Sequence, residues 1–190
     1  AANVTLSAHV EREACPLNLA PTSSSTAELA IGDALAVALI EARGFTERDF
    51  AMSHPGGALG RRLLVHCQDV MHKGSEIPVV NERVSLKEAL FEMTQKTLGF
   101  ICIVNDNHEL VGVYTDGDLR RSLEKGATIK DCIATLMSKN VRGIVKQETL
   151  AADALAMMHN LKINSLVVTD DNNHPIGAFN LHDLMRAGII

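Results

Sequence analysis

The chain repeats itself. Residues 79–121 lie over residues 144–186 without a gap at an offset of 65. Val80, Ala89, Leu90, Met93, Asp106, Asn107, Gly112, Asp118, Leu119 and Arg121 meet the same residue types at 145, 154, 155, 158, 171, 172, 177, 183, 184 and 186. A matching lead precedes each copy, DVMHKG at 69–74 and TLMSKN at 135–140. A repeat of this length decides the fold before any single motif does. Each copy predicts the same order: a short strand (IPVV, GIV), a turn at Ser85 or Thr149, and an amphipathic helix (LKEALFEMTQK, AADALAMMHNL). A buried strand follows (FICIVND, SLVVTDD), then an Asx-rich hairpin turn, a second strand (LVGVYT, PIGAFN) and a closing helix (DLRRSLEK, DLMRAG). One β-α-β-β-α unit of this size buries little apolar surface alone, so two are expected to pack sheet to sheet about a pseudo-twofold axis.

The most chemical-looking stretch in the repeat is TDGD, where Asp116 and Asp118 flank Gly117. A calcium loop needs further ligands and a closing glutamate at fixed positions, and none follows. The second copy has Asn180 and Leu181 in place of Thr115 and Asp116. A metal site would not lose ligands while keeping its frame. The stretch reads as an acceptor-rich turn, and no metal is expected.

Ahead of the repeat the chain changes character. Residues 1–10 alternate apolar and polar, the period of a strand, and a sheet that opens this way reads as the back part of something longer. An irregular stretch with two prolines and a hydroxyl run follows. Residues 27–43 then predict a helix, with Ser25 and Glu28 as a capping box, Gly44 as the stop, and apolar residues on overlapping faces that make it largely buried. FTERDF predicts a short helix from Thr46. SHPGGALGRRLL reads as a glycine-rich loop running into a basic, apolar segment, with a domain boundary near residue 65.

Composition limits the function classes. With no Trp and one Tyr, the core must be aliphatic. A net charge of −5 argues against a nucleic-acid partner. Cys15, Cys67, Cys102 and Cys132 form no CxxC pair, which favours free thiols in a reducing cytoplasm. The apolar stretch Ala34–Ile40 is too short to span a bilayer, so no membrane association is expected.

The VM opening at Val70 and Met71, its echo at Met137, and the Gly-x-x-Thr-x-x-Asp ending at Gly112, Thr115 and Asp118 resemble a tandem pair of CBS domains. Asn180 departs from the usual Thr in the second ending, Gly177, Asn180 and Asp183. The segment HVEREACPLNLAPTSSSTAELAIGDALAVAL with DFAMSHPGGALGRRLL resembles the end of a sugar isomerase (SIS) domain. The two together resemble the bacterial D-arabinose-5-phosphate isomerases. The resemblance implies an α/β (α+β) chain: the C-terminal remnant of a Rossmann-like SIS domain over 1–65, then CBS domains over 66–128 and 129–190. It implies interconversion of D-ribulose 5-phosphate and D-arabinose 5-phosphate for Kdo, lipopolysaccharide or capsule synthesis. It further implies that the CBS pair is regulatory and that these residues alone, lacking the rest of the catalytic constellation, are inactive.

Isomerisation through an enediol needs a base to move a proton between adjacent carbons and a group to manage the oxygens. On the resemblance, Glu13 is the proton shuttle and His54 assists ring opening; the alternative is a surface carboxylate and a turn cap. Ser23, Ser24, Ser25 and Thr26 stand at a helix start, where free N–H groups favour a sugar phosphate, though capping alone accounts for Ser25. In the CBS pair, Asp118 and Asp183 can each accept two hydrogen bonds from a ribose diol, beside Thr115 and Asn180, with Arg120, Arg121, Arg186 and Lys139 as phosphate partners. The alternative is that both aspartates cap the closing helices. No cofactor is required. The expected regulatory ligand is a nucleotide, AMP, ATP or CMP-Kdo, and the expected assembly a homo-dimer or homo-tetramer; an alternative is a CBS pair serving only as a sensor or assembly module.

Overall fold

The computed structural model describes residues 4–54 and 56–190, and it separates into two compact units, the first ending at Phe50 and the second running over Ala51–Ile190. In the first unit residues 4–10 form no strand, and residues 1–3 lie outside the described residues. The alternating pattern is present, but a strand exists only by pairing, and this unit offers no second strand among its described residues.

Helix α1 spans Ser23–Arg43, four residues more at its start than the sequence predicts. Ser25 therefore lies inside the first turn, and the Ser25–Glu28 capping box does not form. The N-cap is Thr22, whose side chain makes no cap bond; Glu13 supplies the acceptor instead. Gly44 ends the helix as expected, in the left-handed region at φ 58°. The expected burial of α1 is corrected: none of its residues is buried, and Leu29 and Val37 are 70% and 63% exposed. At 21 residues it is, by length and composition, long and apolar enough to cross a bilayer, so the too-short apolar stretch is corrected as well. Helix α2, Glu47–Ser53, begins as predicted at Thr46, whose N–H and hydroxyl both donate to Asp49 Oδ2.

The second unit opens with helix α3, Ala58–Leu64, where the sequence suggested only a basic, apolar segment. Helix α4, Cys67–Val70, leads the first copy of the repeat: β1 Val79–Asn81, α5 Leu86–Lys96, β2 Phe100–Val104, β3 Leu110–Thr115, α6 Asp116–Glu124. Helix α7, Ile133–Leu136, leads the second: β4 Ile144–Val145, α8 Ala151–Leu161, β5 Ser165–Thr169, β6 Pro175–Asn180, α9 Leu181–Arg186. Each copy is a three-stranded sheet in chain order, the first pair of strands parallel and the hairpin antiparallel. The registers superpose at the repeat offset, Cys102↔Val113 answering Val167↔Ala178, and both copies carry a bulge, at Ile103/Val104 and at Val168/Thr169.

Strand β2 is buried at all five positions because both of its faces are covered. One face packs with α5 in a cluster of Leu86, Ala89, Met93, Ile101, Ile103 and Tyr114. The other meets the second sheet, where Phe100, Cys102 and Leu110 touch Val167 and Ala178. That second cluster is the expected sheet-to-sheet core.

The leads cross over. Met71 fills the space beside Gly177 of the second copy, and Met137 fills the space beside Gly112 of the first. His72 bridges antiparallel to Ala178, and Ser138 bridges to Val113. Ile133 of the second lead is buried in the first core, and Cys67 of the first lead in the second. Both glycines are needed for this approach, since a Cβ on Gly112 would stand 2.9 Å from Met137 Cγ. Burial raises the Cys67 thiol to about 12, with Asp153 and Asp69 adding to it, and burial raises Cys102 further, so these are packing thiols rather than reactive ones.

Candidate functional site

A cleft of about 760 Å³ opens between the two copies of the repeat. The start of α6 and the start of α9 both reach it, so Thr115, Asp118 and Asn180 are brought to one cavity, as the sequence expected. Asp183 does not line it, nor do Arg120, Arg186 and Lys139.

Both closing helices begin with the same reciprocal cap. Thr115 Oγ1 accepts the Asp118 N–H at 3.2 Å, and Asp118 Oδ2 accepts the Thr115 N–H at 3.0 Å and its hydroxyl at 2.7 Å. Asp118 Oδ1 accepts from Arg121 at 2.7 Å and from Ser138 Oγ at 3.2 Å. Burial opposes the charge, yet the bonds from Thr115, Arg121 and Ser138 hold the carboxyl below its ordinary range. Asp118 thus enters the cleft as an anion with both oxygens already bonded.

The second copy repeats the cap with Asn180, whose Oδ1 accepts the N–H groups of His182 and Asp183 at 2.9 and 3.3 Å while Asp183 Oδ2 accepts the Asn180 N–H at 2.9 Å. Here His72 stands where the first copy has Ser138. Its Nε2 lies 3.1 Å from Asp183 Oδ1, and its Nδ1 lies 3.4 Å from Glu76. The imidazole bridges two carboxylates from different copies.

Sequence reasoning missed the groups that are open to a ligand. Asp116, Arg142 and Lys162 line the cleft, and their side chains make no hydrogen bond or ion pair among the described residues. Asp116 was set aside with the metal reading. Arg142 and Lys162 carry no motif; the only signal is a basic residue in the link before β4 and another just after α8. His72 stands opposite Ser138, one of four differences between the aligned leads DVMHKG and TLMSKN.

The first unit holds the other candidates except His54. Glu13 Oε2 accepts the Thr22 N–H at 2.8 Å, the Thr22 hydroxyl at 3.0 Å and the Ser24 N–H at 3.2 Å. Bonds from Ser24 and Thr22 lower its pKa to about 2. The helix start expected to receive a phosphate thus holds the chain's own carboxylate. Ser23, Ser25 and Thr26 lie in the first turn of α1, Thr26 donating to the Thr22 carbonyl at 3.0 Å. His54 belongs to the second unit, in a turn where its carbonyl accepts the Gly57 N–H at 3.1 Å. Arg61 donates from Nη1 to the Gly56 carbonyl at 2.6 Å and from Nε to the Gly188 carbonyl at 3.2 Å, tying that turn to the end of the second copy.

The family pattern described as CBS domain matches residues 67–125 and 129–189. The chain is 54% identical over 194 residues to arabinose 5-phosphate isomerase KdsD of Pseudomonas aeruginosa and 51% identical over 192 residues to that of Escherichia coli K12. All of the chain is covered in both comparisons, and it spans 58% of the length of either relative. A crystal structure of CBSX2 in complex with AMP superposes with a TM-score of 0.56 at 25% identity, covering 66% of this chain and 96% of that one.

Proposed function

The chain belongs to the CBS domain family, and from that premise we propose that it is the C-terminal, ligand-sensing part of a D-arabinose-5-phosphate isomerase. The observation that carries the reading is the cleft between two complete CBS copies, in a chain that matches isomerase relatives along its whole length. Residues 66–128 and 129–190 are the two CBS domains, and residues 1–65 are the end of the sugar isomerase domain.

An apolar helix with no buried residue is a core helix without its core or a membrane span. We assign α1 to the first class: the remaining length of the relatives supplies the surface that covers it. Glu28, Asp33 and Glu41 along the helix agree better with a protein interior edge than with lipid. The protein acts in the cytoplasm on sugar phosphates, and its assembly is a homo-dimer or homo-tetramer.

In the whole enzyme Glu13 shuttles the proton between the adjacent carbons, His54 assists ring opening, and the start of α1 with Ser23, Ser24, Ser25 and Thr26 receives the phosphate. As Glu13 stands here, held low by its cap, it is a poor base. That agrees with an inactive isolated chain. The CBS pair binds a regulatory nucleotide, AMP, ATP or CMP-Kdo. Thr115, Asp118 and Asn180 line the binding region, with Asp183 behind it in the cap of Asn180, and the AMP-bound CBSX2 supports the ligand class.

The test is an isomerase assay on the purified chain and on the longer protein that contains it. Turnover by the longer protein alone, altered by one of the three nucleotides, is the expected result. Absence of ribulose 5-phosphate turnover by the longer protein would end the reading.

A second reading, that the pair mainly assembles the oligomer, is favoured by Phe91 on α5, 71% exposed, with Leu123 and Met185 more than half exposed on the closing helices. Sizing the chain by sedimentation distinguishes the readings: a monomer at micromolar concentration removes the second.

A further inference from the structure

We infer that Arg61 is a positioning residue: it ties the turn that carries His54 to the far end of α9, the helix whose near end lies at the cleft. The inference rests on the isomerase and sensor readings above and adds the physical link between them. All of its parts belong to the second unit.

Two arginines stand side by side in α3 with different surroundings. Arg62 is exposed, while Arg61 is half-buried and gives its donors to two backbone carbonyls. Nη1 donates to Gly56 at 2.6 Å and Nε to Gly188 at 3.2 Å. A planar guanidinium that bonds two carbonyls from two nitrogens fixes where they stand relative to each other; a single ammonium does not. Gly56 lies in the turn closed by the Gly57 N–H and the His54 carbonyl, and the His54 N–H donates to the carbonyl of the fully buried Ala51 at 3.1 Å. The turn is therefore pinned to α2 on one side and to Arg61 on the other.

The opposite carbonyl is equally fixed. The Gly188 N–H donates to the Met185 carbonyl at 3.0 Å and the Ile189 N–H to the Leu184 carbonyl at 3.1 Å, while Ile189 and Leu184 are buried together in the second core. Gly188 takes a positive φ, and a Cβ on it would meet Arg61 Nε. The approach is as close as a glycine allows.

The near end of α9 is at the cleft. Asn180 and His182 line it, and the Asn180 N–H is bonded to Asp183 in the cap. Six helical residues bonded at both ends carry no slack, so α9 shifts as one piece. After α3 the chain is stitched to the same copy, the Val65 carbonyl accepting the Ala151 N–H at 2.8 Å. Arg61 extends that stitching back to the turn. A nucleotide that displaces the start of α9 moves the Gly188 carbonyl, and Arg61 passes the movement to the backbone beside His54.

The test is kinetic, on the longer protein that contains this chain, with and without AMP, ATP or CMP-Kdo. Arg61→Ala should lower kcat about tenfold or more and leave KM within about twofold, because the phosphate-receiving residues are untouched. It should abolish the change in turnover that the effective nucleotide produces, while calorimetry finds that nucleotide bound within about twofold of its original affinity. Gly188→Ala acts on the tie from its other end, 127 residues away, and should reproduce both losses. Arg61→Lys should restore neither. A normal kcat in Arg61→Ala, a nucleotide response that survives it, or full rescue by Arg61→Lys would overturn this inference and leave the isomerase and sensor readings standing. Turnover that no nucleotide alters would overturn the sensor reading and the link with it, and no turnover by the unaltered protein would end all three. Far-ultraviolet circular dichroism checks that the variants remain folded; if Arg61→Ala does not, Arg61→Gln, which keeps most of the stem, takes its place.

Discussion

Glu13 and Thr22 close the start of α1 between them: one carboxylate oxygen takes both the backbone N–H and the hydroxyl of Thr22, at 2.8 and 3.0 Å. The positive end of the helix is thereby neutralised by a residue outside it. Because the folded pKa, about 2, lies below the ordinary 4.5, the stabilisation is fully present above pH 4.5 and is lost as pH falls through about 2. A carboxyl titration followed by NMR should show Glu13 with a midpoint near 2. A midpoint near 4.5 would mean the cap is not made. Glu13→Gln should speed amide exchange at Thr22 and Ser24 at neutral pH.

Tyr114 is fully buried in the first core, and its hydroxyl has no hydrogen-bond partner among the described residues. The counterpart in the second copy is Phe179, equally buried. An unsatisfied buried hydroxyl costs about 1–3 kcal/mol. Tyr114→Phe should therefore raise stability by about that amount, shifting thermal unfolding upward by several degrees. A lower midpoint would mean that the hydroxyl has found a partner, such as a buried water.

The sockets for the lead methionines are tight. A Cβ on Gly112 would lie 2.5 Å from Met137 Sδ and 3.2 Å from the Ser138 carbonyl. Gly112→Ala should destabilise by about 1–3 kcal/mol. Met137→Ala relieves the clash, so the two substitutions together should cost less than their sum in a urea-unfolding cycle. Strict additivity would show that the methionine is not what the alanine meets.

Gly188 sits at φ 68°, and a Cβ there would fall 2.6 Å from Arg61 Nε. Gly188→Ala should cost about 1–2 kcal/mol from the left-handed backbone alone. It should also displace Arg61, so that amide exchange rises in the His54–Gly57 turn as well as at the C-terminus. Faster exchange confined to the C-terminus would show that Arg61 does not link them.

The repeat was legible almost to the residue. Helices α5 and α8 occupy the predicted segments because apolar spacing, the Ser85 capping box and the left-handed stops at Thr97 and Lys162 all agree. What failed lay where one level of information decides alone. Residues 4–10 have the period of a strand, but period does not supply a partner. Helix α1 has buried-helix composition, but composition does not supply a core. The candidate aspartates were found as caps and as ligand groups together, and only three-dimensional placement separates Asp118, on the cleft, from Asp183, behind His72. Arg142 and Lys162 were unreadable because their relevance comes from lining the cleft between the two copies, not from local spacing.

The crossed leads bear on ancestry and on handling alike. Met71 seats beside Gly177 and Met137 beside Gly112, so neither half owns all the parts of its own interior. A single ancestral unit built this way would have had an empty socket and a loose plug, satisfied only by a twin. Fusion of two such units would have turned a meeting of strangers into an internal fold, free thereafter to let one half drift, as Ser138 and His72 have. A laboratory that cuts this protein between residues 125 and 129 should find that the pieces come back together, or pair with their own kind.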